Sequence, residues 1–585
     1  MEQINNSGRD KLASKAFKFH SEGNLLTAEK YYQLFIDKGF SDPLVFSNYA
    51  VILAQRGEIN NAINLYKKSI KLFPNSPQAY SNLGKIFKDL GKLEEAEYYI
   101  RKAIKIKPNY AEAYLNLGII FIQFGKFLKA EEYTLKAIEI RPNYGKAYYN
   151  LGTIFKDQGK LIKAEKYTRK AIDINPNDIN SLINLGSILI QYKKYNEAER
   201  CIRKAIEINP HFSKAYSNLA SIFVDFGRFK EAEAYLIEAI KYEPYFARAY
   251  FSLSILKLSD KENSWQKKLF SKEIVENRSN KDLIDIYFAR SNILHQQKKY
   301  YQSAENLSLG NHLKLNLSPS NRIPLIKKSK LLLEESHQVV IDFNKSIDAE
   351  QSIFIVGMPR SGSTLLESIL SMNSEVVDFG EVNIFEEAFL EWKQSKLINN
   401  QSSLMNLYFR KLKSININEK ITTNKLLYNY QYTGFILKHI SNARIIHCFR
   451  NPLDNILSIF RANFEGGNEY SSSLVDCAKV YLDHDLLMSE YKSSYPKRIY
   501  NLNYDLLVNQ PDIEIRSLTS WLGWDWNEGY LSPNLNNRTV TTASKVQVRS
   551  PINSKSIGGW KNYRNMLKPA IEVISTIDKF TNLYS

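Results

Sequence analysis

The chain has 585 residues, which is too long for one hydrophobic core and predicts about two to four domains. An apolar fraction of 44% and an aromatic fraction of 12% exclude a largely disordered chain. Lysine and arginine number 79 against 61 acidic residues, and the resulting net charge of +18 favours anionic ligands. No basic block or base-reading motif accompanies this charge, so we do not expect a nucleic-acid partner.

The three cysteines and the hydropathy pattern bear on the compartment. Cys201, Cys448 and Cys477 are too far apart for a metal site or a disulfide framework, which favours a reducing, cytoplasmic environment. The N-terminal residues lack the apolar stretch of a signal peptide, and no run approaches the roughly 18 apolar residues of a membrane span. We therefore expect no membrane association.

The first half is an internal repeat with a period of 34 residues. The period is marked by six prolines: Pro74, Pro108, Pro142, Pro176, Pro210 and Pro244. Each unit is predicted to form two amphipathic helices, such as 79–90 and 93–106, with Gly91 in the turn between them. Small residues let the paired helices approach, and proline ends the second helix because it lacks the backbone donor. This pattern resembles the tetratricopeptide repeat.

The repeat register sets the predicted domain boundaries. Counting back one period from Gly57 gives Gly23, so the repeats are predicted over residues 9–257, with a closing helix at 246–257. A charged, irregular stretch is expected near 259–280 and a divergent helical pair at 281–316. Residues 258–345 are therefore predicted to be a helical linker that contains one divergent repeat.

Five asparagines fall at the same place in successive repeats: Asn82, Asn116, Asn150, Asn184 and Asn218. Such a row of amides could grip a peptide backbone without reading its sequence, because amides both donate and accept hydrogen bonds. Similar ladders occur in the repeats of the O-linked glucosaminyl transferases, which this array resembles. The alternative is that each asparagine only satisfies neighbouring backbone groups within the repeat.

The second half contains a strand, a loop and a helix in the order of a phosphate-binding motif. The apolar run 352–356 is followed by the loop 357–364 and the helical segment 365–370. Loop amides and the positive end of the helix point toward a bound anion. The lysine position of the nucleoside-triphosphatase loop is Ser363, which disfavours such a hydrolase. With Arg360 as its cation, the loop instead resembles the 5'-phosphosulfate loop of sulfotransferases.

Two later segments extend this resemblance. The predicted strand 443–449 leads to Arg450, and Ser458 follows eight residues later, as in the sulfotransferase motif that grips a 3'-phosphate. The segments 541–551 and 557–561 resemble the C-terminal part of the tyrosylprotein sulfotransferases and of bacterial proteins that join tetratricopeptide repeats to such a domain. The resemblance covers residues 350–570 and most of the repeats.

The resemblance implies the donor 3'-phosphoadenosine 5'-phosphosulfate (PAPS), with no metal required. The implied donor-binding residues are Arg360, Ser361, Gly362, Ser363, Thr364, Arg450, Ser458, Tyr504, Ser544, Gln547, Arg549 and Lys561. The implied catalytic residues are Arg360, Lys425 and the base Glu381. The tyrosylprotein enzymes carry two adjacent glutamates where this chain has Glu381 and Val382, so Glu386, Asp378 or a histidine stay as alternative bases. His447 is predicted to lie in the core and His484 on an exposed helix.

The predicted fold is an α-helical tetratricopeptide-repeat superhelix followed, at 346–585, by an α/β P-loop-like sulfotransferase domain with a parallel central sheet. The leading hypothesis is sulfation of hydroxyl groups on a protein or peptide recruited by the repeats, with tyrosine as the first candidate. The alternatives are sulfation of a glycan or small molecule, and an inactive repeat scaffold for protein–protein interaction. The oligomeric state stays open, with a homodimer among the alternatives.

Overall fold

The fold is that of a computed structural model, which describes residues 2–256, 264–339, 351–397, 403–413, 421–464, 466–536, 538–540, 542 and 544–581. The chain divides into two compact units, Met1–Pro210 and His211–Ser585. The predicted boundaries after residues 257 and 345 lie outside the described residues. Within those described ranges, no helix is both long and apolar enough to cross a bilayer.

The first unit consists of consecutive helix pairs. Its helices are α1 (Glu2–Ser21), α2 (Leu25–Asp37), α3 (Pro43–Gln55), α4 (Ile59–Leu72), α5 (Pro77–Asp89), α6 (Leu93–Ile106), α7 (Ala111–Gln123), α8 (Phe127–Ile140), α9 (Gly145–Asp157), α10 (Leu161–Ile174), α11 (Ile179–Gln191) and α12 (Tyr195–Ile208). The predicted pair at 79–90 and 93–106 is found as α5 and α6.

Small residues and stacked rings hold each pair together. A methyl group at Gly84 would lie 2.8 Å from the side chain of Ile100, so α5 and α6 approach closely only because this position is glycine. The rings of Phe87 and Tyr99 stack at 5.4 Å, and the same contact recurs one period later between Phe121 and Tyr133. The repeat period is therefore also a period of side-chain packing.

The turn within each repeat demands a left-handed backbone. Gly57, Gly91 and their equivalents have positive φ, and Lys193, which interrupts the glycine row, has a φ of 59°. Lys298, in the turn of the divergent pair, has a φ of 60°. Lysine rarely adopts a left-handed backbone because its Cβ crowds the neighbouring backbone atoms. Since Lys193 and Lys298 adopt it nevertheless, the packing of the two helices determines this turn even where glycine is absent.

The second unit begins with more helices. They are α13 (Ser213–Asp225), α14 (Phe229–Tyr242), α15 (Ala247–Ile255), α16 (Ser264–Leu269), α17 (Asn280–Gln296), α18 (Tyr300–Leu317) and α19 (Ile323–Gln338). The short helix α16 lies where an irregular stretch was expected, and α17 and α18 coincide with the predicted divergent pair. Asn311 donates to the carbonyl of Phe460 at 3.0 Å and Gln431 to Ser329 at 3.0 Å, so α18 and α19 are built into the following domain.

A five-stranded parallel sheet organises that domain. Its strands are β1 (Gln351–Gly357), β2 (Val376–Asp378), β3 (Ile421–Asn424), β4 (Ala443–Phe449) and β5 (Ile499–Asn503), in the order β2-β3-β1-β4-β5. Its helices are α20 (Ser363–Leu370), α21 (Ile384–Leu397), α22 (Leu404–Lys413), α23 (Thr433–His439), α24 (Pro452–Phe460), α25 (Leu474–Ser494), α26 (Tyr504–Asn509), α27 (Pro511–Leu522), α28 (Arg564–Ile574) and α29 (Asp578–Thr581). Short 3₁₀ segments occur at Leu427–Tyr432, Glu469–Ser472, Glu528–Leu531, Pro533–Leu535, Gln547–Arg549 and Gly559–Tyr563.

The central strand β1 is buried on both faces. Phe354 and Val356 belong to the core cluster that includes the helix residue Phe385, and Ile353 and Ile355 belong to the cluster on the other face. Because all five strands are parallel, their carboxyl ends lie at one edge of the sheet. The loops after the strands meet at that edge, which is where open α/β sheets bind ligands.

Two histidines lie beside the sheet. His447 on β4 is buried, as predicted, and His484 on α25, which was expected to be exposed, is buried against it with the ring centroids 4.9 Å apart. The expectation for His484 was wrong because a polar helix seen in sequence does not reveal which of its faces another element covers. Burial lowers the pKa of His447 to about 4. The pKa of His484 is lowered well below its usual range, mainly by burial and to a smaller extent by the nearby His447.

These histidines make the second unit sensitive to acid. Between pH 6.5 and about 4 the unfolded chain binds a proton at His447 that the folded chain does not, so stability falls as pH falls through this window. We expect the urea midpoint of His447→Leu to drop less between pH 7.5 and 5 than that of the unsubstituted chain. The control is His312→Leu, because His312 is exposed and meets water in both states. Equal drops in all three proteins would contradict the prediction.

Candidate functional site

The loop between β1 and α20 has an unusual backbone. Arg360 adopts a φ of 67° and Gly362 a φ of 98°, and a methyl group at Gly362 would lie 2.2 Å from the ring of Tyr504. Left-handed backbone at a residue other than glycine is strained and recurs at functional sites. The N-cap residue of α20 is Gly362, which has no side chain to cap the helix, so the first amides of α20 are not capped by that residue.

Arg360 connects three separate parts of the chain. Its Nε donates to Ser458 Oγ on α24 at 3.1 Å. Its two terminal nitrogens donate to Ser544 Oγ at 2.5 Å and to Gln547 Oε1 at 2.8 Å. Three residues predicted to bind the donor, from two other motifs, thus accept hydrogen bonds from the guanidinium of a fourth.

Arg450 follows β4 at the same edge of the sheet. Its side chain is 6% exposed, donates to the carbonyl of Ser556 at 2.9 Å and lies 4.8 Å from the ring centre of Tyr504. The nearby Asp454 is 3.9 Å away, and its carboxylate accepts backbone hydrogen bonds from Gly558 and Trp560. Tyr504 thus separates Arg450 from Gly362, which places the loop and the second motif side by side.

Positive charge exceeds negative charge here, although Asp454 lies 3.9 Å from Arg450. Burial, then the charges of Arg450 and Arg461, lower the pKa of Arg360 to about 10. In the described part of the chain neither Arg360 nor Arg461 forms an ion pair with a carboxylate. Ser361 Oγ and Arg450 Nε are buried and have no partner among the described residues. Such a set fits a ligand with several negative charges.

Lys425 and Glu381 form the other half of the site. Lys425 follows β3 and is fully buried, with its Nζ 2.7 Å from Glu381 Oε1 and 3.7 Å from Glu367 Oε2. Its backbone amide donates to the carbonyl of Gly380 at 2.9 Å, so the ends of the neighbouring strands β2 and β3 align the two residues. The Glu381 side chain is 48% exposed and is therefore accessible from solvent.

Glu367 and Arg538 were missed in the sequence. Glu367 on α20 is 2% exposed, and Arg538 donates to its Oε2 at 2.9 Å and also pairs with Asp378. Glu367 Oε1 is buried and has no partner in the described residues. One signal existed, because Glu367 interrupts the apolar run 365–370, and a buried carboxylate requires a cation nearby. Nothing in the sequence indicated Arg538 as that cation.

Each alternative base either pairs with another side chain or is buried beside the sheet. Burial raises the pKa of Glu386, but hydrogen bonds from Lys328 at 2.5 Å and from Tyr432 at 2.7 Å outweigh it, and the net shift is downward. Asp378 is paired with Arg538. The two buried histidines described above have pKa values well below the usual range. Among these groups Glu381 combines exposure with a position beside Lys425.

The other residues predicted to bind the sulfuryl donor divide into two groups. Ser363 and Thr364 are buried at the start of α20, and the hydroxyl of Thr364 lies 3.1 Å from that of Thr542. Arg549 donates to backbone carbonyls, to Asn536 at 2.6 Å and to Asp225 at 3.1 Å, and Lys561 is exposed. The structure therefore brings the first group to the loop, whereas the Arg549 guanidinium is held by the backbone.

The asparagine ladder lies within the helix stack. Asn116, Asn150 and Asn184 are buried, and Asn82 and Asn218 are half-buried. Asn184 donates to Thr168 of the preceding helix at 3.2 Å. At Asn184 the amide therefore already has a partner in the preceding helix.

Family comparisons match both halves of the chain. Residues 352–528 match the sulfotransferase family. Matches to the tetratricopeptide repeat cover residues 77–110, 145–178 and 179–212, then 111–144 and 213–246, and a TPR-repeat model matches residues 51–91. The segment that carries Ser544 and Gln547 lies beyond the sulfotransferase match.

Individual relatives are more distant. An uncharacterized protein of Aquifex aeolicus (strain VF5) is 31% identical over 39% of this chain, and the match spans 32% of that protein's length. A "Putative protein-tyrosine sulfotransferase" of Caenorhabditis briggsae is 25% identical over 36% of this chain and 81% of its own. Among solved structures, a tetratricopeptide repeat protein from Parabacteroides merdae covers 42% of this chain and 98% of its own, with 18% identity and a TM-score of 0.37.

The family matches agree with the helix pairs and with the parallel sheet described above. The chain thus consists of tetratricopeptide repeats followed by a domain of the sulfotransferase family.

Proposed function

We propose that the domain transfers a sulfuryl group from 3'-phosphoadenosine 5'-phosphosulfate to a hydroxyl group. The observation that carries this proposal is the 3.1 Å hydrogen bond from Arg360 to Ser458, which joins the loop after β1 to the helix after Arg450. Two anion-binding motifs at one sheet edge suit a ligand with phosphate groups at both ends.

The site offers a separate group of residues for each charged end of the donor. The amides of residues 361–364 and the Arg360 guanidinium would hold the 5'-phosphosulfate, and Arg450 with Ser458 would hold the 3'-phosphate. Tyr504, Ser544 and Gln547 would line the nucleoside between them. The Ser361 hydroxyl and Arg450 Nε, which have no partner among the described residues, supply hydrogen-bond donors that an anion would satisfy.

The acceptor reacts at the Glu381 end of the site. Glu381 takes the hydroxyl proton as the oxygen bonds to sulfur and the bond from sulfur to the 5'-phosphate oxygen breaks. Lys425, beside Glu381, and Arg360, in the loop after β1, stabilise the negative charge that develops on the leaving phosphate. The ion pair with Lys425 holds the Glu381 carboxylate in place before the acceptor arrives.

We favour a protein or peptide as the acceptor, with the hydroxyl group of tyrosine as the first candidate. Tetratricopeptide repeats in the same chain suit peptide capture, and the C. briggsae relative is described as a protein-tyrosine sulfotransferase. The half-buried Asn82 and Asn218 are the ladder members with most amide surface left for a peptide. Glycan or small-molecule acceptors, and an inactive scaffold, are the competing outcomes of the experiments below.

The first test concerns the loop. Gly362→Ala places a methyl group 2.2 Å from Tyr504 at a φ of 98°, so the loop and Tyr504 must move apart. We expect calorimetry of the full chain to show at least about tenfold weaker binding of adenosine 3',5'-bisphosphate. Gly523→Ala is the matched control, because its φ is 77° and the space around it is open. No binding by the unsubstituted chain would overturn the donor assignment.

The second test concerns the base. Glu381→Gln keeps the size of the side chain but cannot take a proton, so sulfation should fall about 10²- to 10⁴-fold while bisphosphate affinity stays within about twofold. The control is Glu387→Gln, an exposed residue on α21 that lies 3.7 Å from Lys411. Sulfated products are detected by mass spectrometry of a pool of peptides and oligosaccharides. Unchanged turnover in Glu381→Gln rules out this base, and binding without transfer to any acceptor supports the inactive scaffold.

The third test concerns the ladder. If the amides grip peptides, Asn82→Ala and Asn218→Ala together should weaken peptide binding about tenfold and leave the melting temperature nearly unchanged. Asn184→Ala serves as the comparison, because its buried amide donates to Thr168 and its loss should lower the melting temperature instead. Lower stability in both proteins with unchanged peptide binding would show that the ladder only joins the helices.

A further inference from the structure

The C-terminal end of α13, in the repeat at 213–246, is bound to the segment that holds Arg360. Asp225, the last residue of α13, is 2% exposed. Its carboxylate lies 2.8 Å from Lys545 Nζ. Its carbonyl accepts from the amide of Val540 at 3.3 Å and from Arg549 at 3.1 Å. Three residues between 540 and 549 thus converge on one residue of the repeat.

The opposite side of the same segment faces the β1–α20 loop. Ser544 and Gln547 accept hydrogen bonds from two nitrogens of Arg360. Lys545 lies between them in sequence, one residue after Ser544 and two before Gln547. We call residues 544–549 the bridging segment, because one side of it contacts the repeat and the other contacts Arg360.

Helix physics explains why α13 can act as an anchor. The last carbonyls of a helix have no partner within the helix and carry its negative dipole end, so cations bind there. Lys545 and Arg549 are the cations that the bridging segment presents. Gly227 leaves room for Arg549, since a methyl group there would lie 3.1 Å from Arg549 Nε. A carboxylate as buried as Asp225 is costly without its cation, so this contact is expected to be strong.

We propose that Asp225 is a positioning residue of the donor site, and that this repeat therefore forms part of the scaffold of that site. The proposal rests on the donor-binding function proposed above. Asp225 holds Lys545 and Arg549, these hold the bridging segment, and Ser544 and Gln547 then fix the direction of the Arg360 guanidinium. Release of the anchor leaves Arg360 with Ser458 as its remaining partner among these residues.

The test uses full-length variants and calorimetry with adenosine 3',5'-bisphosphate. Asp225→Asn and Lys545→Gln should each weaken binding about tenfold, and the double variant should be no weaker than either, because the ion pair between these two residues is absent from all three. Lys545→Arg keeps the ion pair and should bind normally. The matched control is Asp89→Asn, at the equivalent position of an earlier repeat, where the carboxylate is mostly exposed and pairs with Lys88.

A second readout separates this inference from the donor assignment. Without ligand, hydrogen exchange of residues 544–549 should be faster in Asp225→Asn and Lys545→Gln than in the unsubstituted chain, and unchanged in Asp89→Asn. If the unsubstituted chain binds no bisphosphate, the donor assignment fails. Hydrogen exchange of residues 544–549 then decides by itself whether Asp225 holds the bridging segment. Normal binding and normal exchange in Lys545→Gln, whose side chain is 28% exposed and tolerant of change, would overturn the inference.

Discussion

The transferase domain is built around like charges held together at one edge of a sheet. Parallel strands direct every loop that follows them to that edge, and those after β1 and β4 bring Arg360 and Arg450 there. Burial and mutual repulsion make this arrangement unfavourable for the protein alone. It persists because neutral groups, the hydroxyls of Ser458 and Ser544 and the amide of Gln547, hold the Arg360 guanidinium without neutralising it. The charge therefore remains available to an anion.

The part of the edge around Lys425 shows the opposite arrangement. Lys425 is fully buried and lies between two carboxylates, and Arg538 lies between Glu367 and Asp378. Charges of opposite sign alternate in this cluster and both cations are little exposed, which restricts their movement. In the reaction that we propose, Glu381 would take the proton at this half of the edge and the cations around Arg360 would bind the anion at the other. The hydroxyl acceptor that we propose would react where the two halves meet.

Several parts of the fold could be predicted from the sequence because they depend on residues close together in the chain. The 34-residue period predicted the helix pairs, and the strand at 443–449 was placed correctly, since both patterns arise from near neighbours. The loop around Arg360 was recognisable for the same reason. His484 shows the limit, because its own helix is polar and only the packing of α25 beside β4 buries it. Glu367 was visible as an acidic residue in an apolar run, but its partner Arg538 is 171 residues away.

The sequence by itself determined the repeat period, the strand–loop–helix motif and the residue types that could bind phosphate, because each is encoded within a few tens of residues. Only the tertiary structure decided which of them meet. It brought Ser544 and Gln547 to Arg360, held Arg549 on the carbonyl of Asp225, and buried three ladder asparagines between helices. These outcomes depend on how distant segments pack, and a hydrogen bond between residues nearly two hundred positions apart leaves no periodic trace in a single sequence.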